Sequence, residues 1–269
     1  MPDTIAAPLP RLRPATRRPS LGLVGYGAFG AFAQPHLARF FDVVVHDPGL
    51  SARDLPGRAA TLAEAAAADI VVLAVPLAAL RPVAAALAPL LRPGTLVVDV
   101  CSLKAAPLAI LAELLPAGTP ILGTHPLFGP QSGRHGLAGL RMALCPAPGQ
   151  GGQARRAARF LRGAFGLEVT ITTAEDHDRQ MAYVQGLTHI VSRIVMAMDL
   201  PPLALGTTTF GHLTRMVDTV RHDSDALFRT IARDNPHAAE VRARFEAATA
   251  QVLAGLAPPP AEVRAMAAP

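Results

Sequence analysis

The 269-residue sequence has no tryptophan and two tyrosines, and aromatic residues make up 4% of it. That scarcity argues against a surface on which bases stack, the usual platform for single-stranded nucleic acid. Charge gives nucleic acid no better footing. Lys plus Arg is 25 against 20 for Asp plus Glu, a net charge of +5. Arg11, Arg13, Arg17 and Arg18, set against Asp3, supply +3 of it and leave about +2 for the rest, without a clustered basic face. Lysine occurs once, at Lys104, and every other basic residue is arginine or histidine. The two cysteines, Cys101 and Cys145, stand in apolar runs outside any CxxC, so no disulfide framework or zinc site is expected. No apolar stretch reaches the ~18 residues of a membrane span. The Pro- and Arg-rich start, residues 1–19, lacks the apolar core of a secretory signal and reads as a flexible tail, with a very short organelle transit peptide as the alternative; 259–269 also reads as a tail. The expectation is a soluble cytoplasmic protein with neither nucleic acid nor membrane as partner and no metal.

What the sequence does have is apolar bulk, 51% hydrophobic against 17% charged residues, enough to exclude disorder over most of its length. The bulk comes in short solid runs: LGLV (21–24), DVVVHDP (42–48), DIVVLAVP (69–76), TLVVDVCS (95–102) and PILGTHP (120–126). They alternate with helical stretches after residue 30 and over 61–67, 77–91 and 105–115. Pro35 should interrupt the first of these, and Thr61 with Glu64 forms a capping box for the second. Apolar strands alternating with helices mean an α/β fold with a mostly parallel sheet covered on both faces. RMALCPAP (141–148), a helix over 155–166 and LEVTITTAE (167–175) read as one more strand–helix–strand unit. After Thr173 the period is wholly helical, with a long helix over 177–198. The expected division is a Rossmann-type domain, 20–173, followed by an all-helical domain, 174–258. Those helices carry more apolar surface than one thin layer buries, which predicts a homodimer through 177–255.

The first strand runs directly into Gly25-Tyr26-Gly27-Ala28-Phe29-Gly30, which opens a helix. In that context the glycines serve a tight turn, close approach of backbone to a pyrophosphate, and packing of the helix on the strand, with the helix N-terminus facing the negative charge. A second strand ends in Asp47, 17 residues past Gly30, near the ~20 expected of an acid that accepts from a ribose 2′-hydroxyl. The pattern predicts a dinucleotide cofactor, NAD, with NADP left open because Arg53 stands near Asp47.

Ligands in such sheets bind beyond the carboxyl ends of the strands. Val75 and Pro76 end the third strand, Ser102 follows the fourth and His125 the fifth, so these residues should share the cofactor cleft. A neutral histidine there suits a base that takes a hydroxyl proton while hydride leaves the same carbon. The plainer alternatives are a strand-end histidine and, for Ser102, an N-cap of the helix 105–115. Lys104 could reach cofactor phosphate, pair with an acid or sit in solvent, and Cys101 reads as core. The stretch FGPQSGRHG (128–136), with Gln131 and Ser132, reads as an irregular substrate loop. On the helix 177–198, Gln185, His189 and Arg193 are spaced by four and share one face, with Asp178 nearly in line and Thr188 beside His189. A partly buried polar face and a solvated one both fit that spacing. Arg215 is a candidate carboxylate clamp, against the commoner case of a surface arginine.

The strings LGLVGYGAFG, VVVHDP, DIVVLAVP, VVDVCSLK, GTHPLFGPQSG, HDRQMAYVQGLTH and LTRMVD, in this order over about 20–235, resemble the prephenate/arogenate dehydrogenases of tyrosine biosynthesis. The resemblance implies a Rossmann domain with a helical dimerisation domain. It also implies oxidation of a ring hydroxyl with hydride transfer to NAD and loss of the ring carboxylate as carbon dioxide. By resemblance His125 is the catalytic base, and Ser102 bonds to it and to the substrate hydroxyl. His189 and Arg215 match substrate-contacting positions of the family, and Gln131 and Ser132 of the loop with Gln185 and Thr188 of the helix are taken as substrate-binding beside them. Gln131 replaces an acid common in the family, which leans the side-chain preference toward prephenate. Two other readings stay open: a β-hydroxyacid-type dehydrogenase, which would want a lysine in the helical domain, and a nucleotide-binding sensor without catalysis.

Overall fold

A computed structural model of the protein describes residues 18–51, 53–55 and 58–256, so nearly all of both expected tails lies outside the described residues. The solid apolar runs pair side by side because they bury both faces. Strands β1 (Ser20–Val24), β2 (Asp42–His46), β3 (Arg58–Ala59), β4 (Ile70–Leu73), β5 (Leu96–Asp99), β6 (Ile121–Pro126), β7 (Arg141–Pro146) and β8 (Glu168–Ile171) form one sheet in the order β3-β2-β1-β4-β5-β6-β7-β8. Every pairing is parallel except β6 with β7, which is antiparallel. Leu23, Val45, Val71, Leu73 and Val97 are wholly buried along the centre. The chain leaves β1 for one edge and returns to β4 on its other side. That reversal opens a crevice at the carboxyl ends of β1 and β4.

Helices α1 (Ala28–Leu37), α2 (Leu62–Ala66), α3 (Leu77–Leu87), α4 (Ala105–Leu114) and α6 (Gly151–Phe165) make the connections. The Thr61–Glu64 capping box is present at α2. Pro35 does not interrupt α1, which runs on to Leu37; it sits in the last turn, where its missing N–H removes one bond only. The stretch 128–136 is not wholly irregular either. Pro130 starts a short helix, α5 (Pro130–Gly133), with its backbone preset for the first helical position, and the Ser132 hydroxyl accepts from the Gly129 amide at 3.0 Å.

From Ala174 on, every described element is helical: α7 (Ala174–Met181), a π-helical turn (Ala182–Leu187), α8 (Thr188–Ala197), α9 (Thr208–Val220), α10 (Asp225–Arg229), a second π turn (Thr230–Asp234) and α11 (Ala238–Ala254). The Thr173 hydroxyl caps α7 by accepting from the Asp176 amide. The long helix expected over 177–198 thus exists, lengthened at its start and widened in its middle.

Ser102 does not cap α4. The helix begins at Ala105, after Lys104, and its first amides are capped from outside the α/β half. The Asp178 carboxylate on α7 accepts from Lys104 N at 2.8 Å and Ala105 N at 2.9 Å. Turned inward by this start, the Lys104 side chain is fully buried. Its ammonium pairs with the equally buried Asp99 and donates to the Thr124 carbonyl at 2.6 Å, joining β5 to β6. Burial pushes the Asp99 carboxyl above its ordinary pKa, opposed by Lys104 and by the Cys101 amide, which donates to it at 2.8 Å. Of the three readings of Lys104, pairing with an acid is the one that holds. Removing one partner strands the other charge in the core. Lys104→Met should therefore lower stability by ~3–5 kcal/mol in urea unfolding. The double change Asp99→Asn with Lys104→Met should recover most of the loss.

Candidate active site

A cavity of about 460 Å3 lies at the carboxyl ends of the central strands, with the helical part as its far wall. The turn after β1 supplies Gly27, Ala28 and Phe29, and the end of β4 supplies Val75 and Pro76. Ser102 enters after β5, His125 at the end of β6, and Gln131 and Ser132 from α5. Gln185 and His189 face it from the helical half. Eleven residues singled out in the sequence are thus brought together by the fold.

Others stand behind this lining or away from it. Gly25 has φ +97°, and a Cβ there would lie 2.4 Å from the Ala74 carbonyl oxygen, so the turn requires glycine. A Cβ on Gly30 would lie 2.3 Å from the Gly25 carbonyl oxygen, so α1 can rest on the turn only without one. Asp47 accepts from the Tyr26 amide at 2.7 Å and the Gly49 amide at 2.8 Å, bracing the turn from the end of β2. Thr188 is not in the cavity lining, because its hydroxyl donates to the Val184 carbonyl of its own helix at 2.6 Å. Arg215 is exposed and outside the lining as well. Val217 and Val220 are the buried residues of α9, and a residue two positions from Val217 lies about 200° around the helix. Asp178 does not share a face with His189. It turns to α4, whereas His189 Nε2 lies 3.1 Å from Asp223 and its Nδ1 2.9 Å from the Gln185 carbonyl. The face is a buried one at His189, which is 7% exposed. Arg193 continues that face to the Asp223 carbonyl and the Asp225 carboxylate.

The nearest polar partner of His125 is not the one implied by the resemblance. Among the described contacts Ser102 makes no hydrogen bond to it. His125 Nδ1 instead pairs with His177 Nε2 at 2.9 Å, because α7 brings His177 directly beneath the end of β6. His177 and the Asp223 partner of His189 went unremarked in the sequence; no periodicity marks them, since each meets its partner across elements. Burial holds the His125 pKa well below its ordinary 6.5, and the Lys104 charge adds to the effect, so the ring is a neutral base. Burial and Asp99 push the Cys101 thiol well above its usual range, so it stays protonated. Gln185 Nε2 stands 3.4 Å from His125 Nε2, while Gln185 Oε1 is buried without a hydrogen-bond partner among the described residues.

The first turn fits a dinucleotide. Gly27 is the N-cap of α1 and has no side chain to satisfy the first helical amides, and a Cβ there would meet nothing within 4 Å. Open backbone donors at the start of a ten-residue helix, facing a cavity, are an anion site. No group of three or more potential metal ligands occurs among the described residues.

Residues 52–163 match the family model described as "Prephenate dehydrogenase, nucleotide-binding domain". Arogenate dehydrogenase 2, chloroplastic, of Arabidopsis thaliana is 33% identical over 162 residues, covering 59% of this chain and 45% of that protein. Arogenate dehydrogenase 1, chloroplastic, of the same plant is 28% identical over 247 residues, 86% of this chain and 38% of that one. The chain therefore spans less than half the length of these curated relatives. In fold it is similar to the crystal structure of prephenate dehydrogenase from A. aeolicus in complex with hydroxyphenyl propionate and NAD+, with a TM-score of 0.69 and 18% identity over 88% of this chain and 90% of that one. With the nucleotide-binding domain matched over residues 52–163 and the second relative aligned over 86% of the chain, the sequence is similar to the prephenate/arogenate dehydrogenases.

Proposed function

We propose that the protein oxidises the ring C4 hydroxyl of prephenate or arogenate and releases the ring carboxylate as carbon dioxide, giving 4-hydroxyphenylpyruvate or tyrosine in tyrosine biosynthesis. The observation that carries this reading is a buried, neutral His125 in the same cavity as a glycine turn open to an anion. In this reading residues 20–173 hold NAD and 174–258 close over the substrate. Bound NAD supplies the acceptor for the hydride leaving C4. His125 Nε2 takes the hydroxyl proton, and Ser102, from the same wall, orients the hydroxyl. The bond from the ring to its carboxylate then breaks, and its electron pair makes the ring aromatic. Gln185, with an open amide oxygen, and His189, held by Asp223, orient the substrate from the helical side. Gln131 and Ser132 meet its side chain, and a neutral Gln131 favours the keto acid prephenate over the amine. Arg215, exposed on α9, and Thr188, bonded to its own helix, would act only after a change of side-chain position.

The chain's single lysine is sealed beneath β6, so no lysine reaches the cavity, which weighs against the β-hydroxyacid reading. Free, buried Cys101 and Cys145 suit the reducing cytoplasm. No helix of the described residues is long and apolar enough to cross a membrane.

The base is tested by His125→Asn, which keeps size and one polar contact. With prephenate and arogenate as substrates and reduced nicotinamide as the readout, kcat should fall by ~10²–10⁴-fold with cofactor affinity nearly unchanged. Because the His125 pKa is depressed, the base stays neutral down through pH 6.5. The acid limb of the wild-type kcat/KM profile should lie below that value and the profile stay flat just above it. A His125→Asn enzyme with near-wild-type kcat would remove His125 from the role.

Cofactor choice rests on Asp47 at the rim of the glycine turn. NAD should bind more tightly than NADP, and Asp47→Ser should narrow the gap in titrations of each cofactor. Equal wild-type affinities would unseat the assignment.

A homodimer through the helical part is supported by apolar side chains left in solvent there: Ile194 is 47%, Met198 62%, Leu205 90% and Val252 64% exposed. Light scattering at micromolar concentration should give twice the chain mass of 28.0 kDa, and a monomer would count against this assembly.

A further inference from the structure

The proposed base is one end of a buried chain whose other members have no part yet in the chemistry. His125 Nδ1 lies 2.9 Å from His177 Nε2, and His177 Nδ1 lies 2.8 Å from Asp178 Oδ1. The imidazole centroids are 5.0 Å apart and the rings inclined at 67°, so each nitrogen meets the other ring edge-on. His125, His177 and Asp178 are 3%, 2% and 0% exposed, so water does not compete for these bonds.

The direction of each bond follows from the carboxylate. Asp178 Oδ1 already accepts from the Lys104 amide and Oδ2 from the Ala105 amide, at the positive end of the ten-residue helix α4. A carboxylate whose two oxygens already accept from backbone amides at a helix N-terminus takes the acceptor role toward His177 as well. The hydrogen between it and His177 therefore belongs to His177 Nδ1. In its neutral form His177 carries one N–H, so with Nδ1 donating to Asp178 its Nε2 presents a lone pair. The hydrogen in the next bond must then come from His125 Nδ1, and the lone pair of neutral His125 is left on Nε2. That atom faces Gln185 at the cavity, where the substrate hydroxyl would lie.

We infer that His177 is a positioning residue for the base: relaying the fixed charge of Asp178, it holds His125 in the Nδ1–H tautomer and keeps Nε2 free to accept the proton. An imidazole left to itself favours the opposite, Nε2–H, form, which would point a donor at the substrate hydroxyl and could not serve as base. Once His125 has taken the proton, the same bonds orient the new positive charge toward Asp178. No proton needs to travel along the chain.

The inference about rate rests on the proposed dehydrogenase reaction, but the tautomer does not, so the two are read separately. Two-bond 1H–15N correlation spectra of histidine-labelled protein, with His125 assigned by loss of its signals in His125→Asn, report which ring nitrogen carries hydrogen. Wild type should show His125 protonated on Nδ1. His177→Gln should preserve this, since its amide oxygen accepts from His125 and its amide NH2 donates to Asp178. His177→Phe, which fills the space without an acceptor, should shift His125 toward the Nε2–H form. With prephenate or arogenate, kcat should fall ~10–100-fold in His177→Phe, with the Kd for NAD unchanged, and return most of the way in His177→Gln. An Nε2–H His125 in wild type overturns the inference, as does a folded His177→Phe protein with unchanged tautomer and kcat. If His177→Phe does not fold, the wild-type and His177→Gln spectra decide. If the wild type is inactive on both substrates, the reaction fails while the spectra still judge the tautomer.

Discussion

The Asp178 carboxylate at the start of α4 is the interaction on which the rest of the molecule hangs. A fully buried charge is tolerable only when its oxygens are satisfied, and here two backbone amides of the α/β half and one imidazole do so. On the other side the Asp178 carbonyl accepts from Asn235 Nδ2 at 2.8 Å, which ties in the second π turn. One residue thus caps a helix of one half, docks the helix of the other and orients the ring pair beside the cavity. The register of α7 against the sheet is set at this point. From there Gln185 and His189 reach the cavity two to three turns later.

The π turn at Ala182–Leu187 does the remaining alignment. A widened turn carries an extra residue per repeat and changes the rotation of everything after it. It lets Gln185 approach His125 while His189 swings to Asp223 and Arg193 continues to Asp225. A plain α-helix from 174 to 197 would not place all three partners in this way.

How much of this the residues announce depends on whether the cause is local. Strands buried on both faces must be solidly apolar, so β1, β2, β4, β5 and β6 could be read directly, and with them the parallel sheet. The two-residue β3 has no room for a pattern. An apolar run carries no mark of direction, so the antiparallel pairing of β7 with β6 could not be read. Helix α5 hides in a stretch rich in glycine, where Pro130 is its only local signal. Val75, Ser102 and His125 could be read as cavity residues because strand ends in this topology converge. The true partner of His125 could not, because the contact from Asp178 to the Lys104 amide joins residues 74 apart and no spacing rule spans that distance. Arg215 lies outside the cavity lining for a similar reason: the phase of α9 is chosen by Val217 and Val220 packing inward.

The shared use of Asp178 also limits how the molecule can breathe. A jaw-like swing of the helical half away from the sheet would pull the carboxylate off α4 and release His177, and with it the ring it steadies. Such an opening would disarm the site each time it let a molecule through. The opposite rim is free of these bonds: Gln131 and Ser132 on one bank and Ser224 and Ala226 on the other line the cavity yet remain exposed. The floor of the site is thus buried and tied across both halves, while its exposed rim is bounded by a few side chains and one short helix.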